Sequence, residues 1–219
     1  MRNSLPTFER LQNLELTDSS DYCCDHIAKC ISLCHSLTKL KIDEVKCYYT
    51  EDLLNTVQGL KNLKSLSMNC IEDHFTKNFF DYISYNLLEL ELLDLNDCYE
   101  ISDSDLTSIK KLPKLKVLMI DSVDITGSEI RNLSTLKKLS CSGHSFKEDN
   151  VISLLRCASE LEYLDISYNE KMTNTVIDVA IEETKKRINN IVLEIRVEKT
   201  SIVPDKIHKM SLLLNIVFV

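Results

Sequence analysis

Residues Leu90–Leu106 read LELLDLNDCYEISDSDL, with Leu90, Leu93 and Leu95 at i, i+3 and i+5, then Cys98, Ile101 and Leu106. Residues two apart on an extended strand point to the same face. Leu93 and Leu95 therefore enter a core together, while Leu92 and Asp94 turn to solvent. Leu90 reaches the same core from the turn before the strand. A single short apolar run decides little, but this one returns along nearly the whole chain.

Allowing I, V, M, F or C for L, the spacing L-x-x-L-x-L fits at nine places. They are Leu11/Leu14/Leu16, Leu37/Leu40/Ile42, Leu63/Leu66/Met68, Leu90/Leu93/Leu95 and Leu115/Leu118/Ile120, followed by Leu136/Leu139/Cys141, Leu161/Leu164/Ile166, Val192/Ile195/Val197 and Leu213/Ile216/Phe218. Successive starts differ by 26, 26, 27, 25, 21, 25, 31 and 21 residues.

Behind each strand the period changes. Leu53, Leu54, Val57 and Leu60 have helical spacing, as do Phe75, Phe79, Ile83 and Leu87. Leu106, Ile109 and Leu112 form a third set, and Val176, Ala180, Ile181 and Ile188 a fourth. Thr126 with Glu129, and Ser145 with Glu148, have the spacing of capping boxes. Each unit is thus strand, turn, helix. No unit can bury its own apolar stripe, so neighbours must stack, with parallel strands on the inner side and helices outside. The 21-residue intervals after Leu115 and Val192 leave room for one or two helical turns. The 31-residue interval predicts the longest helix, Val176 to about Ile188, with Glu182, Glu183, Lys185, Lys186 and Arg187 as a solvated face.

Composition agrees with a folded domain. Of 219 residues, 44% are hydrophobic and 27% charged, and three Gly and three Pro leave little material for hairpin turns. The net charge of −8 disfavours binding to phosphate backbones. Nine cysteines, an odd number, exclude a complete intramolecular disulfide set. With no apolar leader in MRNSLPTFERLQNL and no apolar run of about 18 residues, the expectation is reduced thiols in a cytoplasmic or nuclear protein that does not enter a membrane.

A unit of the form L-x-x-L-D-L-x-x-C-x-x-I-[ST]-D-x-x-L resembles the cysteine-containing leucine-rich repeat, and Leu90–Leu106 carries it. LEYLDISYNEKMTNTVI, Leu161–Ile177, is a second copy with Asn169 in the Cys place. LTKLKIDEVKCYYTEDLL and LKVLMIDSVDITGSEI are looser copies, and IAKCISLCHSLTKLKI, Ile27–Ile42, is similar to the helix-to-strand passage of this subfamily. The resemblance implies an α/β leucine-rich-repeat solenoid of about nine repeats, with a curved parallel sheet on the concave side and helices on the convex side. It spans residues 11–219 behind a short segment, residues 1–10. The ninth place of the unit reads Ser19, Val45, Ile71, Cys98, Val123, His144, Asn169 and Thr200. Cys98 and Asn169 match the residue that satisfies backbone groups in the turn; the valines and isoleucine are expected to pack instead.

The repeat resembles that of F-box/LRR proteins, which implies holding a substrate for an SCF-type ubiquitin ligase. Leu5-Pro6 matches the opening of an F-box, but ten residues before Leu11 cannot hold one. A Skp-type adaptor is therefore a partner only if an F-box lies outside this chain. The alternative is a leucine-rich-repeat scaffold or inhibitor with no ubiquitin link.

The expected partner surface is the strand face between the core positions: Leu92, Asp94 and Asn96; Val117, Met119 and Asp121; Lys138, Ser140 and Ser142; Tyr163, Asp165 and Ser167, with Tyr168 at the rim. Leu92, Val117, Met119 and Tyr163 would form an apolar row rimmed by charge, the composition of a protein-binding patch. Cys98, Cys141 and Cys157 read as core or turn residues. Cys23, Cys24, Cys30 and Cys34 with His26 and His35 form the densest thiol cluster, but Ile27, Cys30, Ile31 and Cys34 read as a buried helical stripe and no second C-x₂₋₄-C pair follows, so no metal is expected. His74, His144 and His208 have no nucleophile elbow beside them, and no phosphate-binding or zinc-protease motif is present, so neither catalysis nor a cofactor is expected. At the ends, Leu5 and Phe8 are the only candidate cap, and Ile216–Val219 closes the chain with no helix behind it. Both ends are thus expected to be uncapped, as in a fragment or a chain covered by a partner or a second copy.

Overall fold

The computed structural model describes residues 8–17, 24–43, 54, 56–70, 77–143, 145–207 and 211–218. The nine apolar spacings become nine strands: β1 (Asn13–Thr17), β2 (Lys39–Asp43), β3 (Ser65–Asn69), β4 (Leu92–Asp94), β5 (Val117–Met119), β6 (Lys138–Ser140), β7 (Tyr163–Asp165), β8 (Leu193–Val197) and β9 (Leu214–Phe218). They form one sheet in sequence order, every pairing parallel. The register runs through the fourth place of each unit: Leu14, Leu40, Leu66, Leu93, Leu118, Leu139, Leu164, Ile195 and Ile216 are successive partners. From Leu66 to Ile195 these side chains are fully buried. Each such leucine contributes about 1.5–3 kcal/mol of burial.

Five α-helices lie among the described residues: α1 (Cys24–Ser32), α2 (Lys77–Asn86), α3 (Asp103–Ile109), α4 (Glu148–Cys157) and α5 (Asn174–Lys185). Each turns its apolar stripe to the same core. Phe79, Phe80 and Ile83 of α2, Leu106 and Ile109 of α3, Val151 and Leu154 of α4, and Val176, Ile177 and Ala180 of α5 are all completely buried. Neighbouring helices also meet directly, α2 with α3 and α4 with α5. Ser108 Oγ donates to Asp81 Oδ1 across the first of these pairs at 2.6 Å. The short units end in 3-10 turns, Ile130–Asn132 and Pro204–Lys206, in agreement with their 21-residue intervals.

Local details depart from the sequence reading. The helix expected to reach Ile188 ends at Lys185, and Ile188 is 97% exposed. Val192 is exposed and Leu193 is buried in its place, because β8 starts early enough to turn Leu193 inward beside Ile195 and Val197. The two capping boxes do not form. Glu129 pairs with Lys110 instead, while α4 begins after Lys147 and its Glu148 carboxylate accepts from Thr173 N–H at 2.8 Å and Thr173 Oγ1 at 2.7 Å. A box does open α3, where Ser102 N–H donates to Asp105 Oδ2 at 2.9 Å.

Two of the described ninth-place residues bond to backbone carbonyls. Cys98 Sγ donates to the Met68 carbonyl at 2.9 Å. Asn169, fully buried, donates to the Phe146 carbonyl at 2.9 Å and accepts from Lys171 N–H at 3.1 Å. Val123 packs in the core. Leu5, Ser19, Cys23, Val45, Leu53, Ile71, His74, Phe75, His144, His208 and Val219, and the side chains of Cys24, His26 and Ile27, lie outside the described residues. Cys30, Cys34, Cys141 and Cys157 are in no disulfide; of the expected helical stripe Ile31 and Cys34 are buried and Cys30 is part-exposed.

Candidate partner-binding face

The outward residues of the strands form three rows across the sheet. The first runs Ser65, Leu92, Val117, Lys138, Tyr163 and Glu194; the second runs Ser67, Asp94, Met119, Ser140, Asp165 and Arg196. The third follows the strands and contains Asn69, Asn96, Asp121, Ser142, Ser167 and Glu198. Leu92, Val117, Met119 and Tyr163 are each part-exposed, whereas their inward neighbours are fully buried.

The register changes the expected apolar row. Leu92 and Val117 are direct neighbours, but Lys138 stands between Val117 and Tyr163, and Met119 lies in the second row beside Asp94 and Ser140. Strands lie about 4.8 Å apart, so Tyr163 is two strand spacings, about 10 Å, from Val117. The face is a small apolar patch at Leu92, Val117 and Met119 with Tyr163 beyond a lysine, not one continuous stripe.

Carboxylates occupy the polar half of the face, Asp94 and Asp121 fixed by small polar neighbours from adjacent repeats and Asp165 by neighbours in its own. Asp94 Oδ2 accepts from Ser67 Oγ and Asn69 Nδ2, both at 3.1 Å. Asp121 accepts from Ser140 Oγ at 2.8 Å and Ser142 N–H at 2.7 Å, and its own N–H donates to Asn96 Oδ1 at 2.7 Å. Asp165 accepts from Ser167 N–H at 3.0 Å and from Tyr163 Oη at 3.2 Å. Burial pushes Asp121 above the ordinary carboxylate value; the Ser142 and Ser140 hydrogen bonds oppose that, and the negative charge of Asp165 adds to it. Tyr163 is likewise raised, by burial and then by Asp165. Beneath them Cys141 is held well above its usual value by burial, with Asp121 and Asp165 adding, so it is a neutral core thiol that donates to the Asp165 carbonyl at 3.3 Å.

The rim is built by the eighth residue of the third to eighth units. Cys70, Asp97, Ser122, Tyr168 and Lys199 all adopt φ between 47° and 59°, and Gly143 has φ 139°. This left-handed turn lets each eighth N–H reach the carbonyl of the seventh residue in the next repeat. Cys70 thus bonds to Asn96 at 3.0 Å, Asp97 to Asp121 at 2.9 Å, Ser122 to Ser142 at 2.8 Å and Gly143 to Ser167 at 2.9 Å. L side chains adopt this conformation at a cost, but the ladder it extends past the strand ends satisfies one more backbone donor per repeat. Tyr168 is held at the rim by its Oη, which donates to Glu198 Oε1 at 2.8 Å, and Lys199 Nζ lies 4.7 Å from its ring centroid.

Two depressions adjoin these surfaces. One, about 490 Å³, lies at the rim and is lined by Ser122, Val123, Asp124, Ser142, Gly143, Ser145 and Tyr168. Only Ser142 and Tyr168 in it were anticipated as outward residues. Gly143 at an eighth place was the readable sign of the left-handed turn that shapes it. The other, about 410 Å³, is apolar and lined by Phe8, Leu11, Leu14, Leu16, Cys30, Ile31 and Cys34 beside β1. Among the described residues no group of three His, Cys, Asp or Glu could hold a metal ion, and no helix is long and apolar enough to cross a membrane.

The parallel in-register sheet, the helices behind it and the turn residues at position nine define an α/β leucine-rich-repeat solenoid. No protein-family model and no curated protein matches the sequence. Solved structures do. The chain is similar to an internalin (inlF) of Listeria monocytogenes, with TM-score 0.54 and 18% identity over 90% of this chain and 58% of that one. It is similar to internalin C2 of the same organism, with TM-score 0.55 and 16% identity over 87% and 74%. It is also similar to a chain in the yeast Rad7 and Elc1 complex, with TM-score 0.50 and 18% identity over 94% and 67%. The likeness is one of fold, and the chain spans 58% of the length of the first internalin.

Proposed function

We propose that this chain is a protein-interaction scaffold that holds a protein partner on the concave, solvent face of its sheet. The single observation that carries the reading is the in-register sheet of nine strands, whose one face is core from β2 to β8 while the other offers part-exposed Leu92, Val117, Met119 and Tyr163 beside fixed carboxylates. A rigid array with alternating apolar anchors and pre-positioned polar groups loses little entropy on binding. The contact residues are Leu92, Asp94, Asn96, Val117, Met119, Asp121, Lys138, Tyr163 and Asp165, with Tyr168 at the rim; Ser140, expected on this surface, is buried and acts by holding Asp121. Its net charge of −8 favours a protein partner over a nucleic acid. Nine cysteines, an odd number, suit a reducing compartment, the cytoplasm or nucleus.

A second reading is substrate recognition for an SCF-type ligase. It is favoured by Cys98 and Asn169, which bond to backbone groups in the manner of the cysteine-containing repeat. A Skp or cullin component recovered with the full-length protein would support it, and its absence from such a complex would leave the scaffold reading.

The scaffold reading is tested with a photo-crosslinking residue at Val117 or, on the outer face of α5, at Glu182. A discrete adduct from Val117 and none from Glu182 is expected. Adducts from Glu182 alone would place the working surface on the helices.

A further inference from the structure

The rim pocket between the fifth, sixth and seventh repeats has a chemistry of its own. Four of its residues are small, Ser122, Ser142, Gly143 and Ser145, which makes the room. One wall is apolar, from Val123 and the ring of Tyr168; the other carries the Asp124 carboxylate, which accepts from Ser145 Oγ. None of the described lining residues is basic. We propose that this pocket takes an arginine side chain of the protein partner, its guanidinium on Asp124 and its stem and plane against Tyr168.

Three observations lead there. The Tyr168 ring is fixed by its hydrogen bond to Glu198 at 2.8 Å, and Lys199 Nζ at 4.7 Å from its centroid shows that a cation can reach the ring. A planar guanidinium can stack on such a ring and engage a carboxylate with two N–H groups, which an ammonium cannot. A second carboxylate stands directly behind the wall: Ser142, which lines the pocket, donates its N–H to Asp121 Oδ1 at 2.7 Å. An incoming cation therefore meets Asp124 in contact and Asp121 behind it, against the one positive charge of Lys199 at the Tyr168 ring. A carboxylate or phosphate would face both charges, and the N–H groups of Ser122 and Gly143 are already spent on the rim ladder. The volume, about 490 Å³, lies in the range of pockets that enclose a ligand group.

The inference rests on the sheet-face reading above, since the pocket opens where the strands end. Its test needs no partner. Backbone amide shifts of the full chain are followed while an acetylated, amidated Gly-Ser-Arg-Ser-Gly peptide is added, with a citrulline peptide as the neutral isostere. Saturable shifts confined to Ser122, Asp124, Ser142, Gly143 and Ser145 are expected for arginine and not for citrulline. Asp124→Asn is expected to weaken the arginine peptide about fivefold, the effect of one partly exposed ion pair. Tyr168→Leu is expected to weaken it without unfolding the rim. Equal binding of the citrulline peptide, unchanged affinity in Asp124→Asn, or no saturable shift at these amides would overturn the assignment. Failure here with crosslinking intact at Val117 would remove the arginine pocket and leave the sheet-face reading in place.

Discussion

Asp103 Oδ1 accepts the Gly127 N–H at 2.9 Å, joining the first turn of α3 to the turn of the next repeat. The same carboxylate also takes the N–H groups of Thr126 at 3.0 Å and Ser128 at 3.1 Å, and Thr126 Oγ1 at 2.8 Å. Solenoid repeats contact only their neighbours, so bonds that cross a repeat boundary set the cooperativity of the array.

Burial acts to raise the Asp103 pKa, but the Thr126, Ser128 and Gly127 groups outweigh it and hold the carboxyl below its ordinary value of 3.8. The stabilisation it provides is therefore complete above the unfolded value and is lost as pH falls through the lower folded value. Asp103→Asn is expected to cost about 1–3 kcal/mol at pH 7, by loss of charge-assisted hydrogen bonds. The gap to the unsubstituted protein in urea melts should close below about pH 4. A gap of constant size down to acid pH would mean that the charge is not what matters.

Gly127 itself has φ +74°, and a Cβ there would stand 2.4 Å from Phe146 Cε1. Gly127→Ala therefore combines an unfavourable backbone conformation with overpacking, about 1–3 kcal/mol in all. Trimming the ring with Phe146→Leu in the same chain should recover part of that cost. Strict additivity of the two substitutions would show that the steric contact is not the cause.

Cys98 Sγ is buried and bonds to the Met68 carbonyl at 2.9 Å across the repeat boundary. Cys98→Ala removes that donor and should cost about 1–3 kcal/mol. Cys98→Asn, which imitates Asn169, should cost less than Cys98→Val in thermal melts. The opposite order would make Cys98 a packing residue only.

Leu118 lies at the centre of the sheet and is fully buried between Leu93 and Leu139 in register. Leu118→Ala should cost about 2–5 kcal/mol, by lost burial and cavity formation. Hydrogen exchange should rise most in the fourth to sixth repeats and least at β8 and β9. Uniform acceleration along the chain would indicate a single cooperative unit instead.

The face each strand residue takes was legible in the sequence because a period of two leaves no freedom: Leu93 in the core fixes Leu92 and Asp94 outside. Helix ends were less legible. Ile188 continues the helical period of Val176 and Ala180, yet α5 stops at Lys185 and leaves it in solvent. The capping boxes failed for a physical reason: Glu148 and Asp103 serve the following repeat, and a contact of that kind has no local spacing to read. The rim was invisible for another reason. Its left-handed position holds Cys70, Tyr168 and Lys199, residues that do not advertise positive φ, and only Gly143 does. The outward residues of the sheet were legible as a set, but their neighbour relations were not, since Lys138 between Val117 and Tyr163 shows only once the strands are paired.

The affinity of the partner captured at Val117 decides whether the sheet face is the working surface. It is measured by calorimetry against the unsubstituted chain, a Met119→Lys/Tyr163→Lys chain, and an Asp178→Lys/Glu182→Lys chain altered on the outer face of α5. With melting temperatures unchanged, the sheet pair should weaken binding by more than about tenfold, or 1.4 kcal/mol, and the helix pair should leave it within about twofold. Unchanged affinity in the sheet pair, or an equal loss in both, would contradict a partner held on the concave face.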